Sequence, residues 1–214
     1  MSQSTQRHMP IAAGNNYYKK RNHSSPASVF GVPVRGYIKI SQAAEAFNYD
    51  FRNKTVLDIG SSTGGFTQYA LEHGAKKIVS VEKGTNQMKV QLRYDPHVEL
   101  HEKTDFFGFK TSSSIDVVLA DVSFVSLKPI LTHAAVITSG KADYMVMLKP
   151  QFEATPQQLN NGTVKNEKIR RIIIKDFEKW LKDNHFLIIN KHDNRLKGKK
   201  NNRERFYLLQ KSIS

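Results

Sequence analysis

Cysteine is absent from the 214-residue sequence, which excludes disulfide bonds, thiolate metal sites and cysteine nucleophiles. Long apolar runs are absent too, since none approaches the roughly 18 residues of a transmembrane helix. His73, His97, His101 and His133 are interpreted as scattered surface or loop histidines, so no metal site is predicted. The N-terminal region contains no apolar segment of the kind found in secretory signal peptides, so secretion by that route is not expected. We therefore expect a cytoplasmic protein with no membrane association.

Acidic residues are scarce: 19 Asp and Glu stand against 33 Lys and Arg, a formal net charge of +14. Residues 1–28 contain no acid and have no hydrophobic period, which predicts a flexible basic arm ahead of one domain at 29–214. A plain disordered tail accounts for this stretch as well as an RNA-touching arm does. The charge excess indicates a polyanionic partner, nucleic acid first, although solubility or an anionic membrane would also explain it.

Short apolar runs alternate with helical patterns after about residue 41. Five runs have the composition of buried strands, namely 55–59, 78–82, 98–100, 117–121 and 145–148. Two further runs, 186–190 and 206–209, lack a helix between them and are predicted to pair as an antiparallel hairpin. The alternation predicts an α/β fold with a mostly parallel, doubly wound, Rossmann-like sheet.

Helix boundaries follow from polar caps and glycines. Ser41 is predicted to cap a short helix that ends at Phe47, and residues 85–92 are predicted to be helical. Ser126 and Asn166 are predicted to cap two longer helices. The second is predicted to have a basic, solvated outer face formed by Lys168, Arg170, Arg171 and Lys175.

A glycine-rich loop follows the first predicted strand, where ligands bind in this fold. Its sequence DIGSSTGGF, residues 58–66, has three glycines ahead of a helix but lacks the dinucleotide spacing. Glu82 follows the second strand, where a carboxylate can accept the ribose hydroxyls of NAD or of S-adenosylmethionine. Asp58 disfavours a pyrophosphate and suits an ammonium group, which favours the second ligand. Asp105, after the third strand, is expected to meet an adenine amino group.

Four segments of the sequence resemble the FtsJ-like methyltransferases, especially their TlyA (hemolysin A-type) branch. They are RGYIKI at 35–40, VLDIGSSTGGFT at 56–67, DVSFVSL at 121–127 and LKPQFE at 148–153. The similarity covers about residues 33–209. Two features depart from the branch: residues 1–32 are too few for its usual N-terminal S4-type RNA-binding domain, and residues 155–166 replace a Gly-rich stretch ending in Arg-Asp.

The resemblance implies a class I methyltransferase fold and transfer of a methyl group from S-adenosylmethionine to a ribose 2′-hydroxyl of RNA, most simply a cytidine of ribosomal RNA. It implies a catalytic set of Lys39, Asp121, Lys149 and Glu204. The cofactor residues that it implies, together with the loop and strand-end acids above, are Asp58, Gly60, Ser61, Ser62, Thr63, Gly64, Gly65, Phe66, Glu82, Lys83, Thr104, Asp105 and Asp121.

The residue types suit the chemistry, because a 2′-hydroxyl is a poor acid and needs a base. Lys149 is assigned as that base, oriented by Asp121, while Lys39 and Glu204 position the hydroxyl and its ribose. Lysine serves as a base only when neutral, which burial and a neighbouring cation favour and an opposite charge opposes.

Basic residues beside the expected site indicate RNA phosphate contacts. They are Arg35, Lys197, Lys199, Lys200 and Arg203. Tyr37 and Phe124 are candidates for stacking an unpaired base, with core packing as the alternative. RNA, as ribosomal RNA or a ribosomal subunit, is thus the expected partner, and the oligomeric state is left open. The rival functions are a non-catalytic RNA-binding or ribosome assembly factor, a hemolysin-like protein, and a nicotinamide oxidoreductase disfavoured by Asp58.

Overall fold

The computed structural model describes residues 30–138, 140–196, 198 and 202–212. The predicted arm at 1–28 lies outside this range, as do Lys197, Lys199 and Lys200. Seven strands form the main sheet: β1 (Thr55–Ile59), β2 (Lys77–Val81), β3 (Val98–His101), β4 (Val117–Ala120), β5 (Asp143–Leu148), β8 (Phe186–Asp193) and β9 (Arg205–Lys211). Their order is β3-β2-β1-β4-β5-β9-β8, with parallel pairing from β3 to β5.

Both the doubly wound sheet and the C-terminal hairpin are confirmed. β9 pairs antiparallel with β5 and with β8. A separate two-stranded ribbon joins β6 (Leu159–Asn160) to β7 (Thr163–Val164). This strand order and the antiparallel β9 are those of a class I methyltransferase fold.

Helices cover both faces of the sheet. They are α1 (Arg35–Phe47), α2 (Gly65–Glu72), α3 (Val90–Arg93), α4 (Leu127–Ile137), α5 (Pro150–Glu153) and α6 (Glu167–Asp183). Apolar residues of α1 and α2 pack on one face, and those of α4 and α6 pack on the other. Because each of the strands β1, β2, β4 and β5 is buried on both faces, their sequences are continuous apolar runs rather than alternating ones.

The predicted caps of α4 and α6 are confirmed. The Ser126 hydroxyl accepts from the Lys128 amide, and the Asn166 side chain accepts from the Ile169 amide. The predicted start at Ser41 is wrong: α1 begins six residues earlier, at Arg35, and the Ser41 hydroxyl instead donates to the carbonyl of Ile38 within the helix.

The helix predicted at 85–92 is shorter, spanning Val90–Arg93. Asn86 adopts φ +53°, a left-handed conformation that cannot continue a right-handed helix. Lys89, the residue before α3, is extended at ψ 140°.

Candidate active site

Two adjoining cavities open at the carboxyl ends of the parallel strands. One of about 480 Å³ is lined by the glycine loop, α1 and the start of α5, and the other, of about 590 Å³, by the ends of β2 and β3. Both cavities are lined by Gly60, Ser62, Asp121, Ser123 and Phe124. The cleft therefore lies where the fold is expected to bind a ligand.

The glycine loop brings the backbone close to this cleft. Gly60, at φ +78°, lies at the boundary of the two cavities, and Gly64, the N-cap of α2, has φ +85°. Gly65 is needed for another reason: a Cβ there would stand 2.6 Å from the Tyr37 amide nitrogen. Gly65 therefore lets α1 approach α2, in addition to lining the first cavity.

Asp58 lies beneath the loop and is 1% exposed. Its Oδ2 accepts a hydrogen bond from the Thr67 hydroxyl at 2.7 Å, while Oδ1 has no hydrogen-bond partner within the structure. Burial raises the pKa of Asp58 to about 7, the Thr67 hydrogen bond opposes this rise, and the nearby charge of Asp121 adds to it. A buried acceptor of this kind favours a cation in the adjoining cavity.

The second cavity brings together the other expected cofactor residues. Glu82 accepts from the Ser62 amide at 2.8 Å and from the Gly84 amide at 2.6 Å. Lys83 and Asp105 form an exposed ion pair at 3.1 Å. Asp105 also accepts from the Phe107 amide at 3.0 Å, and the Asp105 pKa is lowered by that hydrogen bond first and by Lys83 second. Thr104 lines the same wall.

The four predicted catalytic residues meet in the first cavity. Lys149 Nζ lies 2.6 Å from Asp121 Oδ1. Lys39 Nζ lies 2.8 Å from Glu204 Oε2 and 3.7 Å from Asp121 Oδ2. Lys39, Lys149 and Glu204 are buried, at 6, 8 and 2% exposure. The groups come from α1, the end of β4, the end of β5 and the start of β9, so the tertiary fold alone brings them together.

Ser123 is a further contact of Lys149. Lys149 Nζ donates to the Ser123 hydroxyl at 2.7 Å, and the Phe152 ring lies 5.9 Å from the same nitrogen. Ser123 was not among the predicted site residues. Its position two residues after Asp121, in the segment that ends β4, was the available signal.

Glu153 fixes the loop that carries Asp121 and Ser123. Its carboxylate accepts from the Ser126 hydroxyl and from the Leu127 amide, both at 2.7 Å, at the N-terminus of α4. Within this loop Phe124 has φ +64°, a strained conformation for a bulky residue, and its side chain is 85% exposed at the mouth of both cavities.

The Glu204 segment is held by side chains that are distant in sequence. Arg170, buried on α6, donates to the Arg203 carbonyl at 3.3 Å and to Asp193 at 2.8 Å. Arg170 was predicted on the basic outer face of this helix, and that prediction is wrong because the side chain is buried. Asn202 bonds through its side chain to the Val164 amide and the Gly162 carbonyl, each at 3.1 Å, which ties the β6–β7 ribbon to the same segment.

The predicted RNA contacts are only partly described. Arg35 is exposed and lines the first cavity, whereas Arg203 lies on the far side of Glu204 with Nη1 3.9 Å from Glu167. Tyr37 packs edge-on against Tyr69 and its hydroxyl donates to Glu72 at 2.7 Å, so packing is its role here.

A model of the FtsJ-like methyltransferase family matches residues 33–211. The chain belongs to this family. The resemblance noted in the sequence is thus confirmed across the whole domain, as is the enzyme class that it implied. A methyltransferase family in turn implies a methyl donor such as S-adenosylmethionine.

Named relatives support the TlyA branch. The 23S rRNA (cytidine-2'-O)-methyltransferase TlyA of Campylobacter jejuni is 34% identical over 81% of this chain and 68% of its own length. The 16S/23S rRNA (cytidine-2'-O)-methyltransferase TlyA of Mycobacterium tuberculosis is 38% identical over 61% of this chain and 50% of its own. A solved structure from Streptococcus thermophilus, provisionally named a hemolysin, is 33% identical with a TM-score of 0.80, covering 84% of this chain and 67% of that one.

The chain thus spans half to two thirds of the length of these relatives. Within the part of the chain that the structure describes, no helix combines the length and apolar character needed to cross a membrane.

Proposed function

We propose that this FtsJ-like domain transfers the methyl group of S-adenosylmethionine to a ribose 2′-hydroxyl of RNA, with a cytidine of ribosomal RNA as the target. The observation that carries the proposal is the meeting of Lys39, Asp121, Lys149 and Glu204 in a cleft whose next wall is the glycine loop. The relatives named above as rRNA methyltransferases support the substrate class. An enzyme that modifies ribosomal RNA would act in the cytoplasm, so we propose that location for this protein.

The residues present fit S-adenosylmethionine. Asp58 Oδ1 and Ser61 Oγ are buried polar atoms without partners beside the first cavity, where an ammonium and a carboxylate would need them. The N-terminus of α2 adds backbone N–H groups and a positive dipole end for the carboxylate. Glu82, Thr104 and Asp105 would hold the adenosine in the second cavity. When bound, the cofactor supplies an electrophilic methyl carbon whose bond to sulfur breaks as the ribose oxygen takes it.

We assign Lys149 to accept the hydroxyl proton. A neutral lysine amine has two N–H bonds and one lone pair. The Ser123 hydroxyl accepts one N–H of the amine at 2.7 Å. Asp121 Oδ1 lies 2.6 Å from the nitrogen but outside hydrogen-bond geometry, so the amine must turn toward it to donate its second N–H, and we assign the remaining lone pair to the substrate hydroxyl. As the oxygen–methyl bond forms, the proton moves to this lone pair and Lys149 becomes charged beside Asp121, which stabilises that charge.

Lys39 has a different environment and a different proposed role. It lies between two carboxylates, Glu204 and Asp121, at 2.8 and 3.7 Å. We assign Lys39 to donate a hydrogen bond to the ribose, with Glu204 fixing its direction.

Phe124 is the proposed stacking surface for the target base. Its ring is 85% exposed, lies 5.2 Å from the Phe152 ring and stands at the mouth of the cavity. Unpaired RNA bases stack on aromatic side chains, at about 1–3 kcal/mol per base in single-strand binding proteins. The strained φ of +64° is consistent with a residue kept for its position rather than for packing.

The rival functions are weaker. A non-catalytic RNA-binding factor would not need two buried lysines and two carboxylates in contact, since buried charges are costly unless they are used or paired. A hemolysin-like activity has only the names of relatives in its favour. A nicotinamide enzyme is inconsistent with the methyltransferase family match.

The test is methyl transfer from tritiated S-adenosylmethionine to unmodified bacterial ribosomal subunits and to naked ribosomal RNA. We expect label in dinucleotides resistant to alkaline cleavage, since a methylated 2′-oxygen cannot attack the neighbouring phosphate. Lys149→Ala and Lys149→Arg should both lose the label, because arginine keeps the charge but cannot accept a proton. Lys141→Ala, an exposed lysine far from the cleft, is the matched control and should retain it.

Two results would contradict the proposal. Cofactor binding by the wild type without label in any RNA would favour the non-catalytic factor. Label retained in Lys149→Arg would show that Lys149 acts through its charge and that the base lies elsewhere.

A further inference from the structure

A single line of basic side chains runs along the outer surface of α6. Its members are spaced by three or four residues and all are exposed, which places them on the side of the helix opposite the buried Ile173, Phe177 and Leu181. We call this line the α6 stripe. It consists of Lys168, Arg171, Lys175, Lys179 and Lys182.

The stripe is not the usual arrangement of a solvated helix face. Neighbouring members form four like-charge pairs at i,i+3 or i,i+4, and each such pair destabilises the helix. Two members have an acidic neighbour, since Arg171 lies 3.8 Å from Glu167 and Lys179 pairs with Asp183. The other three members, Lys168, Lys175 and Lys182, form no ion pair with any residue that the structure describes. A polyanion would relieve the repulsion along the line.

The stripe begins at the catalytic end of the sheet. Glu167, at the start of α6, and Arg203, next to Glu204, line the same small cavity as Pro150, which follows Lys149. A groove of about 340 Å³ lined by Lys168, Arg171 and Lys175 continues from there. From Lys168 to Lys182 the stripe is about 21 Å long, at roughly 1.5 Å per residue.

We propose that the α6 stripe is a track for the phosphate backbone of the substrate RNA, leading away from the reactive ribose. The proposal rests on RNA being the substrate, as proposed above, and extends the contact surface well beyond the cleft. The occupant is RNA rather than an anionic membrane, because the stripe starts beside the segment that carries Glu204. In addition, its groove contains a single apolar residue, Ile172, which is too little for membrane insertion.

The experiment is filter binding of a radiolabelled 23S ribosomal RNA transcript from 50 to 400 mM KCl. The test variant combines Lys168→Gln, Lys175→Gln and Lys182→Gln, which keeps helix propensity nearly unchanged. The control combines Lys76→Gln, Lys110→Gln and Lys141→Gln, three exposed lysines off the stripe that form no ion pair with described residues. The test variant should lose about tenfold in affinity at moderate salt, and the slope of log K against log salt should be shallower by about two, since each phosphate contact contributes roughly 0.7–0.9.

Equal slopes and affinities for the test and control variants would overturn the track. So would binding of the wild type to phosphatidylglycerol vesicles with none to the transcript. S-adenosylmethionine binding, by calorimetry, should be the same in all three proteins and checks that they are folded. Methyl transfer by the wild type with equal RNA binding by both variants would refute the track alone. Selective loss of binding in the test variant, with no methyl transfer by the wild type, would support the track and refute the reaction.

Discussion

Replacing Asp58 by asparagine should change how stability depends on pH. The folded protein holds the Asp58 pKa at about 7, against an ordinary value of 3.8. Below the ordinary value the group is protonated in both the folded and unfolded chains. As pH rises from about 4 to 7, the unfolded chain releases a proton that the folded chain retains, so the group's contribution to stability is lost.

The magnitude follows from the difference in pKa. A difference of about three units corresponds to about 4 kcal/mol over the full range, of which about 3 kcal/mol falls between pH 4.5 and pH 8. The asparagine side chain of the Asp58→Asn variant cannot titrate, and its amide oxygen can still accept from Thr67. The free energy of unfolding of Asp58→Asn minus that of the wild type should therefore increase by about 3 kcal/mol across this interval.

Urea unfolding at several pH values measures this difference, because all other titrating groups are shared by the two proteins. Calorimetry with S-adenosylmethionine gives the second measurement. If Asp58 binds the cofactor ammonium, wild-type affinity should rise with pH up to about 7, whereas Asp58→Asn should bind about 10- to 100-fold more weakly, with little pH dependence. Parallel stability curves for the two proteins would refute the reasoning about burial, and equal cofactor affinities would refute the ammonium site.

Three further substitutions test other contacts. Ser123→Ala should lower kcat for methyl transfer about tenfold with unchanged cofactor affinity by calorimetry, because the Lys149 amine loses the hydroxyl that accepts its hydrogen bond; an unchanged kcat would exclude this positioning role. Arg170→Gln alone should lower the rate of methyl transfer, but it should cause little further loss when combined with Glu204→Gln. Additive losses in this double-mutant cycle would mean that Arg170 does not act through Glu204. Gly65→Ala should lower the free energy of unfolding by about 2 kcal/mol in a urea titration, since its Cβ would meet backbone atoms at 2.6–2.9 Å; wild-type stability would refute that packing argument.

The sheet could be predicted from the sequence because its central strands are buried on both faces and are therefore continuous apolar runs, as at 55–59 and 117–121. The N-terminal cap of α6 at Asn166 could also be predicted from the sequence. The predicted cap at Ser41 was wrong because a serine at such a position has two common roles. It can cap a helix, or it can lie inside one with its hydroxyl donating to a preceding carbonyl, as it does here. The helix prediction over residues 85–92 was wrong because Asn86 adopts a left-handed conformation, which depends on tertiary contacts and not on helix propensity.

The site was predictable to the extent that parallel strands end at one edge. Asp58, Asp121 and Lys149 lie at or just after the ends of β1, β4 and β5, so their proximity follows from topology. Glu204 and Lys39 required the family resemblance, since no period or spacing relates them to the strands. Contacts such as those of Ser123 and Arg170 could not be predicted, because a single polar residue has no pattern that specifies its partner.

The segment at 155–166 differs most from the family pattern, yet the structure accounts for what it does. Asn161 and Gly162 both have positive φ, which gives the tight β6–β7 turn that an Asn-Gly pair favours. Asn166 then caps α6, a role that the Asp of the family pattern could also fill. The ribbon bonds to Asn202, two residues before Glu204. The altered segment therefore supports the position of Glu204.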